Sequence, residues 1–198
     1  MKCRSRDGAT LLELMVVLAI VAVVAATTAP SLLRLSRSLR LSMAANEVVG
    51  VLRLARSSAI QNSTNVGVKF RVDDHGRVGF ALYRDGDGDG VRTGDIESGV
   101  DLEVAAGRTL AHLGGHVRFG FPAGIVPRDP TRPSRSLERL DDPIRFNRSD
   151  IAAFNSLGGS TPGSLYITDG RQLAVVRLFG RTGKVKIMRY DPRTASWR

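Results

Sequence analysis

The sequence predicts an α+β fold in which a long N-terminal helix, first membrane-spanning and then amphipathic, packs on antiparallel β-sheets. Three observations predict it. The run from Ala9 to Ala29 is apolar apart from a few hydroxyls and one charged residue, Glu13. Apolar positions then step by four and three through Leu41, Ala45, Val48, Leu52, Ala55 and Ala59, which lines them on one helical face. From Val66 the period changes to two, with turn-forming stretches between short alternating segments. The 198 residues, 42% of them hydrophobic, suffice for one ordinary domain and an appendage, and exclude a polytopic membrane protein. Twenty-nine Lys and Arg against 19 Asp and Glu give a charge of +10, which favours phospholipid headgroups, nucleic acid or an acidic partner. A single cysteine, Cys3, excludes an intrachain disulfide.

Residues 1–8 form a basic leader, in which Lys2, Arg4 and Arg6 outweigh Asp7 and hold that end in the cytoplasm. Residues 9–30 form the membrane segment. At about 1.5 Å per residue, Ala9 to Ala29 spans roughly 30 Å of hydrocarbon. A secretory signal peptide would be cut after this run, near Val24-Ala25-Ala26, but such peptides avoid a charge like that of Glu13. A plain signal anchor gives Glu13 no purpose. A carboxylate near the bilayer interior costs on the order of 2.5 kcal/mol or more, so it calls for a partner.

The stretch Gly8-Ala9-Thr10-Leu11-Leu12-Glu13 resembles the start of type IV pilins and pseudopilins. Their leader ends in Gly, the next residue becomes an N-methylated terminus, and a Glu stands five places in. Ala9 occupies a place more often held by Phe or Met. The resemblance implies cleavage by a prepilin peptidase between Gly8 and Ala9, methylation of Ala9, and pairing of Glu13 with the new ammonium of a neighbouring subunit. Pro30 stands where pilin helices commonly carry a proline, and is expected to kink or locally melt the helix there.

The amphipathic helix is assigned to residues 31–62, with Arg37, Arg40, Arg53 and Arg56 largely off its apolar face and a stop at Asn62-Ser63-Thr64-Asn65. Arg34, Arg37 and Arg40 fall just beyond the membrane. Residues 63–198 form the β-rich head. Val66 to Val72, the turn Asp73-Asp74-His75-Gly76 and Val78 to Leu82 read as a hairpin. Further strands are expected at 102–106, 117–121, 144–146, 165–168, 173–179 and 184–190. The segment 122–143 holds five of the eight prolines and reads as a long surface loop.

Ala55-Arg56-Ser57-Ser58-Ala59-Ile60 resembles the helix end of the GspH/FimT group of minor pilins, with Ser58 in place of their Glu. The ending from Gly170 to Tyr190 is similar to the strand-turn-strand that closes those heads. This implies a non-catalytic minor pseudopilin of type II secretion or a related type IV filament, single-pass in the bacterial inner membrane with a periplasmic head. Its implied partners are other pseudopilins, a prepilin peptidase and the membrane.

Two charged motifs in the head stand out. Asp85, Asp87 and Asp89 alternate with glycines as in the first half of an EF-hand, with Asp95 or Glu97 as closing ligands, making Ca²⁺ a candidate ion although no cofactor is required. The bidentate acid of that motif is replaced by Ile96, no flanking helix is evident, and a solvated turn explains the same residues. Arg181, Lys184, Lys186 and Arg189 form a basic strip near Tyr190 and Trp197, able to neutralise phosphates. Gly183, Lys184 and Lys186 resemble the Gly-Arg-x-Arg turn of DNA-binding members of the group, with lysine in the arginine places, which keeps the charge and loses the bidentate fork. That implies the alternative function, a minor pilin binding DNA for uptake; a charged sheet edge is the simpler account. His112 and His116 have metal-ligand spacing, but Gly114 and Gly115 argue against a shared helix. Gly158-Gly159-Ser160-Thr161-Pro162 lacks the closing Gly of a nucleophile elbow, and nothing indicates an enzyme.

Overall fold

A computed structural model describes residues 10–73, 77–113 and 116–198. The leader, with Gly8 and Ala9, the turn residues 74–76 and the pair 114–115 lie outside them. In chain order the elements are α1 (Leu11–Gln61), β1 (Val66–Val72), β2 (Val78–Arg84), α2 (Thr93–Ser98), β3 (Leu102–Thr109), a 3₁₀ turn (Leu110–Leu113), β4 (Arg118–Phe119), β5 (Ile144–Arg145), β6 (Ile151–Phe154), β7 (Gly163–Thr168), β8 (Leu173–Phe179), β9 (Lys184–Asp191) and β10 (Ser196–Trp197). The architecture is α+β, and its sheets are antiparallel throughout. The chain divides into two compact units, residues 1–38 and 39–198.

In the first unit, Leu11–Ala29 is long and apolar enough to cross a membrane, with a mean hydropathy of 2.5, and none of it is buried within the protein. Its start is capped: the Glu13 amide donates to Thr10 Oγ1 at 3.3 Å. Hydroxyls inside the run are satisfied locally, Thr27 Oγ1 donating to the Val24 carbonyl at 2.9 Å and Thr28 Oγ1 to the same carbonyl at 2.9 Å. The local melting expected at Pro30 does not occur, since α1 is unbroken from Leu11 to Gln61. Proline deletes one amide donor, and the helical residues on both sides outweigh that loss.

In the second unit, Leu41, Ala45, Val48, Leu52, Ala55 and Ala59 are all buried, as their spacing predicts. The helix ends at Gln61, where the Asn62 amide and side chain both donate to the Ser58 carbonyl. One sheet has the order β3-β2-β1-β6; the other runs β10-β9-β8-β7-β4, with β5 also paired to β7. Phe70 and Phe80 of the first sheet meet Phe119 and Phe146 of the second, with centroids 5.9 to 6.3 Å apart. These rings join both sheets and the buried face of α1 in one core.

The segment 122–143 is the irregular surface loop expected, and it is docked on the second sheet at a few points. Leu137 is buried with Tyr166, Leu173, Val175 and Met188 on one side of the second sheet. Trp197 Nε1 donates to the Arg128 carbonyl at 2.6 Å and Arg177 Nη1 to the Pro130 carbonyl at 3.0 Å. Leu137 anchors the segment, with Pro122 and Pro127 also buried.

Candidate functional site

Glu13 lies in the first turn of α1 with its side chain exposed. Among the described residues no cation lies within 4 Å of its carboxylate. Gly8 and Ala9, the other members of the proposed processing and pairing set, lie outside the described residues.

The acidic loop follows β2. Asp85, Asp87 and Asp89 each place one carboxylate oxygen within 4.8 Å of the others. Asp85 is the inner member and is buried. Its Oδ1 accepts the Gly88 amide at 2.8 Å, and its Oδ2 accepts the Gly90 amide at 2.9 Å and Asn65 Nδ2 at 2.6 Å. Burial raises its pKa, but the bonds from Asn65 and from the Gly88, Gly90 and Asp87 amides together outweigh that, and the carboxyl sits below its usual range. Glycine is required at 88 and 90 by φ values of +91° and +98°.

Asp95 and Glu97 do not join the trio. They lie on α2, a short helix missing from the sequence reading, which turns Ile96 into a small core with Tyr83, Val91 and Ile151. The acid that completes the loop is one the sequence reading missed, Asp101. It is buried, with Oδ1 accepting the Gly86 amide at 3.1 Å and Oδ2 the Arg92 amide at 2.9 Å. Two carboxylates thus satisfy the loop's inward amides. The aspartate trio offers carboxylate oxygens to one point, and Ca²⁺ would draw its remaining ligands from backbone carbonyls and water.

The basic strip divides between two faces. Strand alternation places Val185, Ile187 and Arg189 on one side of β9; Val185 and Ile187 pack against the main core, and Arg189 reaches Ser42 of α1. Lys186 takes the other side, opposite Arg177 of β8, and Lys184, paired with Phe179 where the strand leaves the Thr182-Gly183 turn, borders a cavity that Arg53 and Arg56 of α1 also line. Arg181 stands in the turn between β8 and β9 and lines a cleft that also contains Asp89 and Asn155. His112 bridges the Thr109 carbonyl, 3.1 Å from Nδ1, and Glu47 of α1, 3.1 Å from Nε2.

The end of α1 meets two turns through Arg56. Its Nε donates to the Gly158 carbonyl at 3.0 Å, and a Cβ on Gly183 would lie 2.3 Å from that carbonyl oxygen and 2.7 Å from Arg56 Nε. The Ala55-Arg56 pair singled out in the sequence thus has separate tasks: Ala55 is buried under the sheet, and Arg56 fastens the helix to the turns.

A family model described as type II transport protein GspH matches residues 44–181, more than half of the chain. A second, described as the prokaryotic N-terminal methylation motif, matches residues 3–29. No curated protein and no solved structure gives a match.

Proposed function

Because the chain belongs to the GspH family of type II transport proteins and carries the prokaryotic N-terminal methylation motif, we propose that it is a minor pseudopilin, cut between Gly8 and Ala9, methylated on Ala9 and assembled into a periplasmic pseudopilus. The single apolar helix with this motif fits a single-pass inner-membrane anchor. The observation that carries the reading is Glu13, the one charged residue of the apolar span, with no cation beside it among the described residues. Such a charge is tolerable in hydrocarbon when another helix supplies the countercharge, and an ammonium on Ala9 of a neighbouring subunit is of the right sign. The work of the protein is then assembly, with prepilin peptidase and the other pseudopilins as its partners. We propose no cofactor for this role.

Mass spectrometry of the mature N-terminus tests this. A methylated Ala9 is expected, and a terminus beyond Ala25 refutes it. The alternative, DNA binding, rests on Lys184 and Lys186 near the start of β9, whereas Arg189 reaches Ser42 of α1. It predicts duplex binding with steep salt dependence that falls when both lysines are replaced by alanine.

A further inference from the structure

Beside the end of α1 lies a cavity of about 530 Å³ whose polar lining is cationic and hydroxylic: Arg53, Arg56, Ser57, Thr182 and Lys184, with Ile60 on its apolar side. Arg53 and Arg56 are three residues apart on the helix and share a face. Among the described residues no carboxylate lies within 4 Å of Arg53, Arg56 or Lys184. Arg56 spends Nε on the Gly158 carbonyl, which fixes the guanidinium plane. Three cations are thereby gathered around one concavity without a counterion, an arrangement that disfavours the free protein and favours an anionic occupant.

We propose that this cavity is a receptor for an acidic peptide segment of a partner protein, an aspartate or glutamate carboxylate meeting the arginines and Lys184 while its neighbours lie on Ile60. Three features favour a carboxylate-bearing peptide over phosphate or nucleic acid. Phosphate cradles are usually lined with free backbone amides, whereas here the Gly183 amide is bonded to the Phe179 carbonyl at 2.9 Å and the Lys184 amide to Thr182 Oγ1 at 3.3 Å. A duplex needs an extended basic track, and the head's cations are split between two faces of β9. The exposed Leu54 and Ile60 add apolar surface that suits a peptide. This rests on the pseudopilin reading only in making the partner a neighbouring subunit.

The test uses the full chain in non-ionic detergent and a fluorescein-labelled, N-acetylated hexapeptide of alternating glutamate and alanine, read by anisotropy. Saturable binding is expected, weakened about tenfold or more by Arg53→Ala and by Lys184→Ala, as fits the loss of a charge-assisted bond, and unchanged by Arg193→Ala. Arg53 and Lys184 are exposed, and unaltered thermal unfolding of the variants confirms that folding is intact. Absence of binding, equal binding by all variants, or displacement by inorganic phosphate or a short DNA duplex at lower concentrations than unlabelled peptide overturns the proposal. Because no assembly is needed in this assay, its failure is distinct from a failure of N-terminal processing.

Discussion

Replacing Gly183 by alanine should cost far more than the same change at Gly170, although both glycines have positive φ, +58° and +88°. The left-handed backbone alone penalises an alanine by about 1–2 kcal/mol at either site. At Gly170 nothing lies within 4 Å of the added Cβ, so that penalty is the whole effect. At Gly183 the Cβ would stand 2.3 Å from the Gly158 carbonyl oxygen, a backbone atom, and 2.7 Å from Arg56 Nε. The turn must move and the Arg56–Gly158 bond must break; a hydrogen bond to a charged group contributes about 1.5–3 kcal/mol. Gly183→Ala should therefore destabilise by about 3–5 kcal/mol in total. Urea unfolding of the full chain in mild detergent, followed by the fluorescence of Trp197, the one tryptophan, measures both variants. Equal costs for the two substitutions would refute the proposed junction between helix and turns.

The remaining predictions concern carboxylates. Asp85 has a folded pKa below its ordinary value, so its contribution is complete above the unfolded pKa of about 3.9 and is lost as pH falls through the lower folded value. Thermal unfolding between pH 2 and 6 should show that acid limb, and Asp85→Asn should flatten it. Asp101→Ala should destabilise by about 2–4 kcal/mol, since two inward amides lose their acceptor together. Chelation with EDTA should leave the melting temperature within about a degree, given that Asn65 and the Gly88 and Gly90 amides already engage both Asp85 oxygens; a rise in calcium that Asp87→Asn removes would instead make the loop a metal site. Glu13→Gln separates charge from helix capping, because glutamine also suits the third helical position after a capping threonine. It should insert normally and fail to incorporate, as Glu13→Val should, and normal incorporation of either would exclude the ion pair.

What the sequence disclosed depended on the strength of the local period. α1 is legible because Leu41 to Ala59 repeats at helical spacing over five turns, β1 because Val66, Val68, Phe70 and Val72 alternate over seven residues, and β2 because Val78, Phe80 and Leu82 alternate over five. β6 was missed because Ile151-Ala152-Ala153-Phe154 is almost wholly buried, and a strand covered on both faces has no polar alternation to betray it. α2 was missed because six residues carry too little periodicity to detect, and it exists mainly to bring Ile96 under Tyr83 and Val91. The docking of segment 122–143 was obscured by its prolines, which advertise irregular backbone and say nothing of the leucine that anchors it. At the acidic loop the spacing of Asp85, Asp87 and Asp89 was readable, whereas Asp101, sixteen residues further on, becomes part of the loop only after β3 has returned beside β2.

The distribution of charge connects composition to the kind of partner the head can take. Carboxylates in this chain are largely committed locally: Asp85 and Asp101 hold backbone amides, Glu47 meets His112, and Asp73, Asp142 and Asp191 each pair with an arginine close by. Arginine and lysine are treated differently. Arg53, Lys184 and Lys186 reach solvent with no acid beside them among the described residues. The exposed, acid-free cations are the surface expression of the net charge of +10. Two copies of such a head repel at low salt, and an acidic neighbour is attracted. Under the pseudopilin proposal, such a surface favours an acidic neighbour of a different chain over a second copy of this one.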